Sequence, residues 1–353
     1  MRRGVIVTVL LCLHLIVFVY PLWRIGLWLD TPSWLLSLLT VPLVSSQYIA
    51  RRKLYKKGQR ATRTIALLRN AIDYLLGVFS ISALMLLVLE PLFLFAEYEA
   101  RQQAGIAVFL IAFLTAWGSI SAWRPRTRRV HFESAKLTRT WRIVQLSDVH
   151  IGSRSRWFLK YLRWRVNRMQ PDLVCITGDL IDQPGLDEHI LADLGRFTAP
   201  VYYVTGNHER YEDHDAILQR LANLGVHVLR QQRDDWQELS LIGIDDADDP
   251  AQVKKGLSGI KLDPERFSLL LYHKPVGLHD AAAYGVDLML SGHTHGGQIW
   301  PFHLAVKTQF SRHKGVYREA GTILYVSEGT GTWGPALRLF SSSEITLIHL
   351  EPV

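Results

Sequence analysis

Hydrophobic positions divide the chain into two stretches of different character. Up to about position 123 they form long runs: Gly4 to Tyr20, Ser33 to Ile49, about Ala71 to Ala96, and about Gly105 to Trp123. A helix needs about 20 apolar residues to cross a bilayer core of about 30 Å, so the runs predict four membrane-spanning helices. The second is short, but Trp34 and Tyr48 flank it and suit the membrane interface. The first starts behind Arg2 and Arg3 like a signal peptide. Pro21-Leu22-Trp23 prolongs its hydrophobicity where a small-residue cleavage site would stand, which predicts an uncleaved span.

From Ser134 the apolar runs shorten, gain β-branched residues and alternate with helical stretches. Arg142–Leu146, Leu173–Thr177, Val201–Thr205, Val226–Leu229, Leu239–Ile244, Leu269–Tyr272, Leu288–Leu290, Ile323–Val326 and Ile345–Leu350 are bounded by Gly, Pro and Asp. Such runs predict strands of a sandwich or layered sheet in an α/β domain. The division predicted is a membrane domain over residues 1–123, a basic linker over 124–133 around Arg124-Pro125-Arg126, and a soluble domain over 134–353. Residues 154–169 predict a helix. Phe158, Leu162 and Met169 share one face, Trp157, Tyr161 and Trp164 a second, and Arg156, Lys160 and Arg163 a third. This pattern fits either a helix in the headgroup layer, guiding an anionic lipid inward, or the packing of a wide apolar face. Trp300-Pro301-Phe302 and Trp333 leave the same choice between an acyl-chain groove and ordinary packing.

Charge fixes the direction of the predicted spans. The formal net charge is +8 over 353 residues, but its dense clusters flank the apolar runs. Arg51, Arg52, Lys53, Lys56, Lys57, Arg60 and Arg63 lie between the second and third runs, and Arg124, Arg126, Arg128 and Arg129 follow the fourth. Residues 24–32 and Glu97-Tyr98-Glu99 are poor in basic residues, so the positive-inside rule puts both termini and the soluble domain in the cytoplasm, at the plasma (inner) membrane. Away from those clusters no dense basic stripe remains for nucleic acid. Two cysteines, Cys12 and Cys175, make no disulfide framework and fit a reducing compartment.

Five clusters of metal-ligand types each follow a predicted strand. They are Asp148-Val149-His150, Gly178-Asp179, Gly206-Asn207-His208-Glu209, His273, and Gly292-His293-Thr294-His295-Gly296-Gly297. Two Asp, one Asn and four His give a mixed oxygen and nitrogen set without thiolate. That set suits Mn, Fe or Zn and excludes a closed structural zinc site of the cysteine type. Seven candidates exceed one tetrahedral ion and fit two ions with a shared carboxylate. Two such ions about 3.5–4 Å apart can clamp a phosphoryl group, so the composition points to phosphoester hydrolysis.

The ordered set Asp-x-His, Gly-Asp, Gly-Asn-His-Glu, His and Gly-His-Thr-His resembles the calcineurin-like metallophosphoesterase superfamily over roughly residues 140–350. Gly297-Gln298, Gly329-Thr330-Gly331, Arg338 and Glu344-Ile345 are similar to its bacterial membrane-associated YkuE/YaeI-like branch. The resemblance implies a four-layer α/β/β/α sandwich, here preceded by the four transmembrane helices. It further implies that Asp148, His150 and His295 bind one metal, that Asp179 bridges, and that Asn207, His273 and His293 complete the second. His208 would then be catalytic without being a ligand, Glu209 and Asp182 would orient imidazoles, and the nucleophile would be a hydroxide carried by the metals. Asp182-Gln183-Pro184 stands where protein phosphatases of the superfamily carry Asp-Arg-Gly, which disfavours a phosphoprotein substrate.

The expected function is hydrolysis of a phosphodiester or pyrophosphate bond in a small-molecule or lipid substrate. The alternatives are a metal-binding membrane sensor or scaffold without turnover, and a nucleic-acid phosphodiesterase. Asp245, Asp246, Asp248 and Asp249 are expected to form a solvated loop.

Overall fold

The computed structural model describes residues 2–49, 62–183, 185–211 and 214–353. The basic residues Arg51, Arg52, Lys53, Lys56, Lys57 and Arg60, and also Pro184, lie outside these. The chain forms two compact units. One holds the N-terminal helices as far as Ile120, together with Gly334–Leu339; the other runs from Ser121 to Trp333 and from Phe340 to Val353.

The first unit is built from α1 (Arg2–Trp28), α2 (Ser33–Ile49), α3 (Arg63–Phe93) and α4 (Ala100–Trp123). Thr64–Phe93 and Ala100–Trp123 are long and apolar enough to cross a membrane, with mean hydropathies of 2.2 and 1.9. Cys12–Trp28 and Ser33–Ile49 are apolar but shorter, so among the described residues length and composition support two spans where four were predicted. Many large apolar side chains of this unit point outward, including Leu38, Leu67, Leu87, Phe109, Phe113 and Trp117, an exposure that water disfavours. Gly334–Leu339 packs on α3 and α4: Arg338 N donates to Gly118 O at 3.0 Å, and a Cβ on Gly77 would collide with Leu337 and Pro335.

In the second unit the strands are β1 (Arg126–Ser134), β2 (Trp141–Leu146), β3 (Leu173–Thr177), β4 (Val201–Val204), β5 (His227–Val228), β6 (Gln232–Trp236), β7 (Leu239–Ile244), β8 (Phe267–Tyr272), β9 (Leu288–Ser291), β10 (Gly315–Glu319), β11 (Thr322–Val326) and β12 (Glu344–Pro352). They form two sheets, ordered β1-β12-β2-β3-β4-β5 and β10-β11-β9-β8-β7-β6. The central strands are buried on both faces, which explains their uninterrupted apolar runs. The two-residue side-chain period sorts them between cores. Val144, Val174 and Tyr203 face a helix layer, whereas Ile143, Leu173, Cys175 and Tyr202 meet Leu241, Leu269 and Leu290 of the other sheet. Ile242, Leu270 and Met289 pack beneath the helices Gln252–Ser258 and Leu278–Ala283. The layers are helix, sheet, sheet, helix.

The stretch read as a linker is instead an edge strand. β1 begins three residues after α4 and pairs in parallel with β12 from Arg126↔Glu344 to Ser134↔Pro352. Its inward residues Val130 and Phe132 are buried, while Arg126, Arg128 and Arg129 are exposed, a pattern in which charge masks the strand signal. The helix over 154–169 is α5 (Arg156–Asn167), which buries Phe158, Leu159, Leu162 and Val166 against β2, β3 and β4.

Candidate metal centre

The ligand types follow the carboxyl ends of five central strands from both sheets, because β2, β3 and β4 run parallel in one sheet and β8 and β9 run parallel in the other. The sheets are tied at this end. Gln145 Nε2 donates to Thr177 Oγ1 at 2.9 Å and to Ser291 O at 3.0 Å. To bring side chains inward within two to four residues of a strand end, the backbone turns left-handed at Asp148 (φ 55°), His150 (56°), Asp179 (50°), His293 (72°) and His295 (50°). Such φ values cost about 1–3 kcal/mol each in non-glycine residues and cluster at functional sites. Glycines stand where backbones meet side chains of the centre. A Cβ on Gly206 would lie 2.1 Å from Asp179 Oδ1, and one on Gly292 would lie 1.9 Å from Ser147 Oγ and 2.3 Å from Asp148 Oδ2.

Two groups of donors result. Asp148, His150 and His295 form one and Asp179, His273 and His293 the other, with all donor atoms in each group within 4.8 Å of one another. In the first, His150 Nε2 faces His295 Nε2 at 3.2 Å, and His295 Nε2 lies 3.3 Å from Asp148 Oδ1. In the second, His273 Nε2 lies 3.2 Å from Asp179 Oδ2, 3.2 Å from Asn207 Oδ1 and 3.1 Å from His293 Nδ1. Atoms bonded at about 2.0–2.2 Å to one ion lie about 3–4.4 Å apart. The donor set and its spacing therefore fit divalent ions, since converging lone pairs repel unless a positive charge sits among them. His273 Nδ1 is 2.8 Å from Thr177 O; donating its proton there turns the lone pair of Nε2 toward the centre.

Burial and mutual charge set the ionisation of these groups. Asp148 is pushed up by burial and by the Asp179 charge, while His273 and the Ser147 hydroxyl pull it back. Burial also opposes the Asp179 charge, but His273, His208 and His150 more than offset it and hold that carboxylate well below its ordinary range. His273 is raised to about 10, because Asp179 and Asp148 outweigh the cost of burying its cation. His293 is lowered to about 3 by burial and by the neighbouring His273 cation.

His208 lies at the mouth, half-buried. Its backbone N–H donates to Asp179 Oδ1 at 2.9 Å, its ring centroid is 4.7 Å from that of His150, and Trp333 stands edge-on at 6.2 Å. Asp182 Oδ2 is 3.7 Å from His150 Nδ1 and accepts from the Ser153 hydroxyl, which suits the orienting role expected of it. Glu209 differs from expectation. Instead of touching an imidazole, it accepts the backbone N–H groups of Asp179 at 3.1 Å, Ile181 at 2.9 Å and Gly206 at 2.9 Å. Burial and the Asp179 charge raise it to about 7 against the pull of those amides.

Three features escaped the sequence reading. Ser147 Oγ donates to Asp148 Oδ2 at 2.6 Å. The Gly329-Thr330-Gly331 loop pins the same turn, Thr330 N donating to Ser147 O at 2.7 Å and Gly331 N to Asp148 O at 2.9 Å. The acidic stretch is only partly solvated. Asp246 is buried and ion-paired with Arg210 at 2.8 Å and Lys274 at 3.2 Å, and Asp245 with Arg230 at 2.8 Å. Because Arg210 and Lys274 directly follow Glu209 and His273, Asp246 links two of the ligand-bearing loops. The signal available was a cation beside each motif.

Residues 142–297 match the family model described as calcineurin-like phosphoesterase. The chain is 37% identical over 245 residues to an uncharacterized metallophosphoesterase of Campylobacter jejuni, covering 64% of this chain and 63% of that protein. It therefore spans less than two thirds of that relative's length. The match to the uncharacterized metallophosphoesterase YkuE of Bacillus subtilis is 33% identical and covers 60% of this chain and 79% of YkuE. A Danio rerio protein named transmembrane protein with metallophosphoesterase domain is 32% identical, with 71% of this chain and 63% of the relative covered.

Proposed function

This chain belongs to the calcineurin-like metallophosphoesterase family, and from that premise we propose that it is a membrane-anchored two-metal hydrolase of a phosphodiester or pyrophosphate bond, acting on a lipid. The observation that carries the reading is the pairing of donor groups. Asp148, His150 and His295 would hold one ion, Asn207, His273 and His293 the other, and Asp179, grouped with His273 and His293 and accepting the His150 N–H at its backbone O, would bridge. Mn, Fe and Zn all suit these nitrogen and oxygen donors. When bound, two such ions supply Lewis acidity toward the phosphoryl oxygens and acidify water.

The chain's own residues do the rest. Thr177 O fixes the face that His273 presents, and Asp182 lies 3.7 Å from His150 Nδ1, placed to orient that ring. The buried floor excludes bulk water, so charges at the mouth act strongly on the phosphoryl group. His208 lies beside the donor groups, its backbone N–H on Asp179 Oδ1 and its ring against that of His150, where its imidazole would donate a proton to the departing oxygen.

A lipid substrate is favoured by the aromatic surroundings of that opening. Phe310 is edge-on to His293 at 5.1 Å, and exposed Trp333 lies beside His208. The outward apolar residues of the first unit favour the reading of α1–α4 as four spans, with the phosphoesterase domain, from β1 at Arg126 onward, in the cytoplasm at the plasma membrane. The test is hydrolysis by the Mn²⁺-loaded purified protein of an aryl phosphodiester and of lipid pyrophosphates in detergent, with Asp179→Asn as control. Inertness of the loaded protein toward mono-, di- and pyrophosphates alike would overturn the proposal.

A further inference from the structure

The faces of α5 are divided sharply. Phe158, Leu159, Leu162 and Val166 point into the core. On the opposite side Arg156, Trp157, Lys160, Trp164 and Arg168 are exposed, with Trp157 at 59% and Trp164 at 50%. Steps of three and four residues align them as one ridge in which indoles alternate with cations. Arg156 and Lys160 sit 5.0 and 5.2 Å from the Trp157 ring, and Arg168 sits 5.2 Å from the Trp164 ring. Arg163, placed from sequence on one face with Arg156 and Lys160, turns away to pair with Asp193 at 3.0 Å.

What this ridge faces follows from where α5 is anchored. Both ends of the helix hold the segment that leads out of α4 into β1. At the amino end Arg154, buried, donates to Ala122 O and lies over the rings of Trp123 at 4.8 Å and Phe158 at 4.5 Å, which are themselves edge-on at 5.7 Å. At the carboxyl end Arg165 donates to Pro125 O at 3.1 Å and Thr127 Oγ1 at 2.9 Å. The helix is thus clamped along residues 122–127, the exit of a span-length helix. A water-facing helix has no need of two exposed indoles, whereas the bilayer interface favours a ring with an apolar body and a polar N–H. Three cations beside them match an anionic headgroup layer and can extend their stems along it.

We propose that α5 is an interfacial helix that lies in the anionic headgroup layer of the membrane through Trp157, Trp164, Arg156, Lys160 and Arg168. The proposal rests on reading Ala100–Trp123 as a span, and it is independent of turnover.

The test uses the full chain carrying Cys12→Ser, which leaves only buried Cys175. Single cysteines at Trp157, Trp164, Trp117 on α4, and exposed Asn223 are labelled with a small fluorophore. The protein is placed in nanodiscs of phosphatidylglycerol and phosphatidylcholine with or without doxyl-labelled lipid. Labels at 117, 157 and 164 are expected to be quenched at least about twofold more than the label at 223, and replacing phosphatidylglycerol with phosphatidylcholine should weaken quenching at 157 and 164 but not at 117. Labels at 157 and 164 no more quenched than 223, with 117 quenched, overturn the interfacial helix alone. Equal quenching at 157 and 164 in the two lipid mixtures overturns the anionic partner. An unquenched label at 117 overturns the span and the inference with it. Position 164 serves where Trp157→Cys fails to fold.

Discussion

Glu209 Oε2 accepts the peptide N–H of Asp179 at 3.1 Å, so a carboxylate outside the donor groups sets the position of the carboxylate proposed to join them. Its two oxygens serve three backbone amides of two loops. Glu209→Gln keeps the shape but replaces one acceptor oxygen with a donor that faces an N–H. Thermal or urea unfolding should show a loss of about 1–3 kcal/mol, with weaker metal retention on dialysis. Unchanged stability and metal content would mean that the amides are not held this way.

Gly206→Ala inserts a methyl group 2.1 Å from Asp179 Oδ1 and 2.4 Å from Asp179 N. Since one of those atoms is backbone, the clash cannot be relieved by a side-chain rotation. We expect a destabilisation of about 1–3 kcal/mol and loss of bound metal, read by calorimetry and elemental analysis. A variant that binds metal normally would place Asp179 elsewhere.

Asp246→Ala would remove the buried partner of Arg210 and Lys274 and leave both cations to exposed Asp248, 2.9 Å from each. Losing the buried charge-assisted contacts while that partner remains should cost about 1–3 kcal/mol. Denaturant titration of the variant should show a lower midpoint, and lost metal affinity should accompany it, because those cations adjoin Glu209 and His273.

His208→Ala should separate chemistry from binding. The imidazole is at the mouth, so metal content should be unchanged, while kcat falls about 10²–10⁴-fold. Substrates with very acidic leaving groups should lose less, since they need no proton. Uniform loss across leaving groups would argue against proton donation by His208.

Chelation should lower the melting temperature. Ligands that bind only the folded chain stabilise it by about 2.7 kcal/mol at a free concentration 100 times Kd, and removing positive charge leaves Asp148 and Asp179 to repel each other. Scanning calorimetry before and after dialysis against chelator checks this; a melting point insensitive to metal would contradict the fit of these donors to a cation.

Much of this centre was legible in the chain because each candidate ligand follows a buried strand. Leu173–Thr177 and Leu239–Ile244 have the predicted bounds, as runs buried on both faces announce themselves. Edge strands do not. β1 displays arginines outward, and β6, Gln232–Trp236, is polar up to Trp236, with Arg233 Nε and Asp235 Oδ1 2.7 Å apart on one side. Their strand character comes from pairing with β12 and β7, which no local pattern reports. The left-handed turns at Asp148, His150, Asp179, His293 and His295 were equally hidden, since residue type favours other conformations there. Glu209 was misjudged because proximity in sequence to His208 says nothing about which amides fold back upon it.

The central claim is that Asp179 joins two donor groups into one binuclear site. Electron paramagnetic resonance of the Mn²⁺-loaded protein, with metal counted per chain, tests it most directly. The account predicts two Mn²⁺ per chain with a spin-coupled spectrum, and loss of that coupling in Asp179→Asn. One Mn²⁺ per chain, or two that remain magnetically isolated in the unaltered protein, would contradict it.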